Sequence, residues 1–97
     1  MALMVKTTTS FDRVAKKLHP NGKKVLDDAV KEVALNPFIG EEKRGDLGGV
    51  LVHKFKLDSQ ETLLAYMLQP DKPKPTEFVL LSVGPHENFY LQLKRAK

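Results

Sequence analysis

Val50-Leu51-Val52-His53-Lys54-Phe55-Lys56-Leu57 is the stretch that decides the fold. Lys54 and Lys56 alternate with His53, Phe55 and Leu57, the period of two expected of a strand with one wet face and one covered face. Two more strand-like runs follow. Residues 62–68 are apolar throughout, as suits a strand covered on both faces, and residues 78–83 form a third apolar run. Asp58-Ser59-Gln60-Glu61 reads as the hairpin turn between the first two. Pro70-Asp71-Lys72-Pro73-Lys74-Pro75 is a longer loop, kept out of the sheet by its prolines. Connections this short make the three runs antiparallel neighbours.

Upstream of Val50 the pattern changes. Residues 40–49 are polar and glycine-rich, and read as loop. Before them, Val25, Leu26, Ala29, Val30 and Val33 recur at helical spacing, which predicts a helix over about residues 23–35. Asn36-Pro37 ends it, because the residue before proline is pushed out of the α region. Phe11, Val14, Ala15 and Leu18 form a second helical stripe, with Ser10 as the expected N-cap and His19-Pro20-Asn21-Gly22 as the break. Residues 3–8 are short and β-branched, a first strand. The order is β-α-α-β-β-β. It predicts an α+β fold with an antiparallel sheet, a helix hairpin on one face and an open, concave surface on the other.

Composition bounds the rest. At 97 residues the chain is long enough for one domain, expected to span 1–97. With 41% apolar and 29% charged residues it can build a core, and no apolar run approaches the ~20 residues of a spanning helix. The start, Met1-Ala2-Leu3-Met4-Val5-Lys6, lacks the pattern of a signal peptide, so the expected location is the cytoplasm, with no membrane partner. Without cysteine there are no disulfides, thiolate metal sites or cysteine nucleophiles. Three scattered histidines offer no metal-ligand set, so no metal and no cofactor are expected. The net charge of +4 suits a polyanionic target or an acidic partner, but on charge alone an ordinary solvated basic surface is the favoured reading.

The chain resembles the RelE/ParE superfamily of bacterial type II toxins. The likeness rests on the order strand, helix hairpin, Asn36-Pro37-Phe38-Ile39-Gly40, basic loop Lys43-Arg44-Gly45-Asp46-Leu47-Gly48, then three strands. Two local matches sharpen it toward the RelE/YafQ-like branch. His53-Lys54-Phe55-Lys56-Leu57 resembles the lysine-alternating strand of that branch. Leu80-Leu81-Ser82-Val83-Gly84 with Pro85-His86 and Phe89-Tyr90 resembles its last strand and catalytic tail. The resemblance implies a toxin neutralised by a cognate antitoxin, and an mRNA interferase: a ribosome-dependent, metal-independent endoribonuclease that cuts messenger RNA. In that reaction the ribose 2′-hydroxyl attacks its own 3′-phosphate and expels the next 5′-oxygen. It needs a proton acceptor, cations to stabilise the pentavalent phosphate, and a proton donor for the leaving oxygen.

Candidate residues follow. His86 has a side chain suited to proton transfer near neutral pH, and the resemblance makes it the acid–base residue; from the residues alone it reads as a plain loop histidine. Lys54 and Lys56, ~6.6 Å apart along one strand face, suit consecutive phosphates or the transition state; a solvated strand face also carries lysines. Tyr90 either stacks on a base or packs the chain end with Phe89. The resemblance makes Lys43 and Arg44 RNA- or ribosome-contacting charges. His53, by alternation, faces the helices. In one respect the chain departs from the ribosome-dependent nucleases. Their middle strand often carries an arginine, whereas Leu63 stands at that place here and residues 62–68 hold no arginine. The alternative function is therefore a ParE-like, non-enzymatic inhibitor of DNA gyrase.

Overall fold

A computed structural model describes residues 4–43, 48–57, 59–69 and 75–85. The elements run β1 (Met4–Thr7), α1 (Thr9–Lys16), α2 (Pro20–Leu35), β2 (Glu41–Glu42), β3 (Val50–Leu57), β4 (Gln60–Gln69) and β5 (Glu77–Pro85). The sheet order is β1-β5-β4-β3-β2. The α+β architecture is the expected one, with two additions. Glu41–Glu42, inside the stretch read as loop, is a short edge strand on β3. And β1 lies parallel to β5, so the sheet is mixed, with antiparallel pairing everywhere else.

Helix boundaries also differ from the sequence reading. The cap of α1 is Thr8, not Ser10. Thr8 has extended backbone angles, and its hydroxyl accepts the Phe11 N–H at 3.3 Å. The same hydroxyl lies 3.1 and 3.2 Å from the Leu80 and Leu81 carbonyl oxygens, so its proton ties the start of α1 to β5. Helix α2 begins at Pro20 rather than Lys23. Proline at the first helical position loses no hydrogen bond, because that N–H has no partner within the helix, and its fixed φ already suits the helix. The β3–β4 turn is tighter than expected: Leu57 pairs with Gln60, and Ser59 takes φ 68°.

The helices cover one sheet face. Phe11, Leu26, Ala29 and Val33 pack on Leu51, Leu64, Tyr66, Phe78 and Leu80. Each valine, leucine or phenylalanine among them, fully buried, contributes roughly 1.5–3 kcal/mol. The other face is not the open surface anticipated. Val50, Val52, Leu63, Ala65 and Leu81 form a second buried cluster there. A bulge makes this possible. Ala65 pairs with Ser82 and Tyr66 with Leu80, so Leu81 is an extra residue in β5. It shifts the alternation, letting Leu80 and Val83 face the helices while Leu81 joins the second cluster.

Candidate functional site

Lys54 and Lys56 lie on the face away from the helices, both exposed, at the end of β3 beyond buried Val50 and Val52. Phe55, between them, packs toward the helices. Neither ammonium forms an ion pair among the described residues. Two strand residues on one face stand ~6.6 Å apart along the strand. Lys54 pairs with Leu63, and Leu63 pairs with Gly84. The last described strand therefore passes within two strand spacings, roughly 10 Å, of Lys54. Pro85 ends the described part of β5, and His86 is its covalent neighbour.

The other expected site residues divide in two. Lys43 follows β2 and donates its N–H to the Val50 carbonyl at 2.8 Å. Its ammonium lies 3.5 Å from the Glu41 carboxylate, and its side chain is largely covered. Position 50 is four residues from Lys54, ~13 Å along β3, so Lys43 and the lysine pair are not brought together. His86, Tyr90 and Arg44 lie outside the described residues. The arginine position of the middle strand holds Leu63, opposite Lys54 and fully buried in the second cluster.

His53 turns toward the helices, as alternation requires. Its ring stacks on Phe55 with centroids 6.3 Å apart. Its Nε2 is buried without a hydrogen-bond partner, 3.7 Å from a Glu32 carboxylate oxygen. No group of three or more metal-ligating side chains occurs among the described residues. No helix among them is long and apolar enough to cross a membrane.

Two further features were not anticipated. Tyr66, fully buried, holds the loop after α2. Its hydroxyl donates to the Pro37 carbonyl at 2.8 Å and accepts the Gly40 N–H at 2.9 Å. Burial raises its pKa above the usual 10.0, and the Gly40 hydrogen bond partly counters the rise. The lone hydroxyl within the apolar run 62–68 that has a ring to carry it was the available signal. The second feature is a groove of about 520 Å³ between α1, α2 and β1. Its floor includes Val5, Phe11, Leu26 and Leu80, and Asp12, Lys16, Lys23 and Asp27 line it as well.

Solved structures with this architecture define the class. The RelE toxin of E. coli, as a double arginine mutant in the free state, superposes with a TM-score of 0.71 at 21% identity, covering 97% of this chain and 94% of that one. The intact E. coli RelBE toxin–antitoxin complex gives 0.68 at 22% identity, covering 89% and 99%. The RelBE2 toxin–antitoxin complex of Mycobacterium tuberculosis gives 0.67 at 22% identity, covering 89% and 100%. The fold is thus that of the RelE toxins. A search of curated protein sequences finds no match. The model of the ParE-like toxins of type II bacterial toxin–antitoxin systems matches residues 5–94, and the chain belongs to that family, within the RelE/ParE superfamily.

Proposed function

We propose that this toxin is a metal-independent endoribonuclease that cuts messenger RNA on the ribosome. The observation that supports it is the exposed pair Lys54 and Lys56 on the sheet row Lys54–Leu63–Gly84, two residues short of His86. In this reading Lys54 and Lys56 balance the charge that builds on the phosphate as the 2′-oxygen attacks. His86 takes the 2′-proton or delivers one to the departing 5′-oxygen. Tyr90 positions the base or phosphate, and Arg44 and Lys43 contact RNA further along the surface. With Leu63 at the middle-strand position, cationic stabilisation falls to Lys54 and Lys56.

The partner in this reading is a cognate antitoxin, since two of the matched structures are toxin–antitoxin complexes. Its toxin-binding segment is amphipathic and acidic, and folds as it binds. Exposed Met4 and Val5 on edge strand β1, beside the apolar groove, offer such a segment a place for its apolar side.

A second reading has its own observation. Leu63 removes the middle-strand cation, and the matching family model is that of ParE-like toxins, which favours a gyrase inhibitor without chemistry. One experiment separates the two. Translating ribosomes are incubated with the wild-type chain and with His86→Ala, and the cut messenger ends are mapped. Cleavage by the wild type and none by a folded, antitoxin-binding His86→Ala supports the nuclease. No cleavage, together with loss of gyrase supercoiling activity, supports the alternative.

A further inference from the structure

Across the sheet, Lys56 is paired with Glu61 of β4. Residues directly opposite in neighbouring antiparallel strands share a face, with Cβ atoms roughly 4.5–5.5 Å apart. Glu61 therefore stands on the face of the lysine pair, beside Lys56 and two residues before buried Leu63. It is exposed, and it forms no ion pair among the described residues.

The other described acids are engaged elsewhere. Glu77 pairs with Gln69, ~26 Å along β4 from Glu61, and its carboxylate lies 3.2 Å from the Lys6 ammonium. Glu41 pairs with Val52 and meets Lys43 at 3.5 Å. Glu42 pairs with Leu51, which faces the helices. Asp12, Asp27, Asp28 and Glu32 belong to α1 and α2. Among the described residues, Glu61 is thus the carboxylate at the lysine end of this face.

The β4–β5 register extends the row. Thr62 pairs with Pro85, the last residue of β5. Glu61 is the residue before Thr62, and His86 is the residue after Pro85, so each is one step outward from the same pair. A cross-strand charge pair with Lys56 would account for Glu61 by stability alone, at about 0.2–1 kcal/mol. The two side chains form no ion pair, so that account lacks its contact.

Chemistry supplies another reason for an acid here. Attack by the 2′-hydroxyl needs a proton acceptor on one side of phosphorus and a proton donor on the other. One imidazole cannot begin the same step as both. An ammonium has donors and no acceptor, whereas a carboxylate is an acceptor.

We propose that Glu61 is the general base of the cleavage reaction, with His86 as its general acid. The proposal rests on the ribonuclease reading and divides the two proton transfers of that reading between two residues. The 2′-oxygen bonds to phosphorus as its proton passes to the Glu61 carboxylate. The bond from phosphorus to the 5′-oxygen breaks, and that oxygen takes a proton from the His86 imidazolium. The products are a 2′,3′-cyclic phosphate and a 5′-hydroxyl.

The test is single-turnover cleavage of a short synthetic messenger on ribosomes by the full chain, by Glu61→Gln and by His86→Ala. A second messenger carries sulfur in place of the 5′-oxygen at the mapped cut, because a thiolate departs without needing a proton. Thermal melting and antitoxin binding check that both variants fold. Glu61→Gln should lower the rate on the ordinary messenger by about 100-fold or more. Its ribosome binding should stay equal or tighten, because a negative charge beside the RNA is gone. On the sulfur messenger, His86→Ala should recover most of its rate and Glu61→Gln none. A smaller loss in Glu61→Gln overturns the proposal and leaves the nuclease reading standing. Recovery of Glu61→Gln by sulfur overturns it too, because the carboxylate would then serve the leaving oxygen. A wild type that cuts neither messenger removes the nuclease reading and the proposal together.

Discussion

The Tyr66 hydroxyl accepts the Gly40 N–H at 2.9 Å across a separation of 26 residues, and the same oxygen donates to Pro37 at 2.8 Å. One buried phenol thus fixes the loop that carries the chain from α2 to β2 and into the β3 edge. Its ring is held edge-on against Phe78. The approach is close: a Cβ on Gly40 would meet the hydroxyl at 2.7 Å and ring carbon Cε1 at 2.9 Å.

Removing the hydroxyl keeps the ring packing and leaves the Gly40 N–H and Pro37 carbonyl without this partner. Tyr66→Phe should cost about 1–3 kcal/mol in urea unfolding. Gly40→Ala should cost a similar amount or more, because the buried ring has no room to retreat. The double variant should lose less than the sum of the two, since both act on the same contact. Full additivity would show that the loop does not depend on this pin.

Tyr66 also sets an alkaline limit. Burial raises its pKa in the folded chain above 10.0, the value of the unfolded chain. In between, the folded state holds a proton that the unfolded state has released. Stability from this group is therefore complete below about pH 10, and falls as pH rises through the folded pKa. Unfolding free energy followed from pH 8 to pH 11 should drop more steeply in the wild type than in Tyr66→Phe. Parallel curves would mean the phenol does not feel its burial.

His53 presents the opposite balance. Its Nε2 is buried with no hydrogen-bond partner, and the Glu32 oxygen at 3.7 Å is beyond bonding distance. Replacing it with an apolar ring removes an unsatisfied polar atom and keeps the stack on Phe55. His53→Phe should be neutral or stabilising, by up to about 1 kcal/mol, whereas His53→Ala should be destabilising through the cavity it leaves. Thermal melts of the two variants decide it. A large loss in His53→Phe would mean that the imidazole has a polar role.

What could be read from the sequence followed the physical signal available in each segment. β3 is half covered, so Lys54 and Lys56 alternate visibly with Phe55 and Leu57, and the face of the lysine pair was legible. The helix stripes were legible for the same reason. Glu41–Glu42 is too short to show any period, so β2 read as loop. The parallel pairing of β1 with β5 leaves no local trace, because sequence order does not say which distant strand becomes a neighbour. The bulge at Leu81 was hidden in a run apolar on both faces, where a shift of one residue changes nothing visible. The buried second cluster is hidden with it, because a run apolar on both faces does not show which of its residues cover that side of the sheet. Tyr66, Pro37 and Gly40 are 26 and 29 residues apart, beyond any local pattern. Of the site residues, only Lys54, Lys56 and Lys43 fall within the described structure. Lys43 is displaced from the pair by β2, the strand the sequence did not reveal.

The lysine pair allows one more decision. If Lys54 and Lys56 act only as solvated strand residues, removing both charges changes neither RNA binding nor turnover, because neither ammonium then touches RNA. If they stabilise the phosphate in the transition state, Lys54→Gln/Lys56→Gln should lower single-turnover cleavage by about 100-fold or more, with a smaller effect on binding. Their contribution to ribosome affinity is then a salt slope shallower by up to about 2. Lys→Arg at each position keeps the charge but changes donor geometry. It should restore binding fully and cleavage in part, since a planar guanidinium does not place its donors where an ammonium does. The measurement is the single-turnover rate at saturating ribosomes, read beside the binding isotherm of the same variants. Equal losses in rate and binding would make the pair an anchoring site for RNA and remove it from the chemistry.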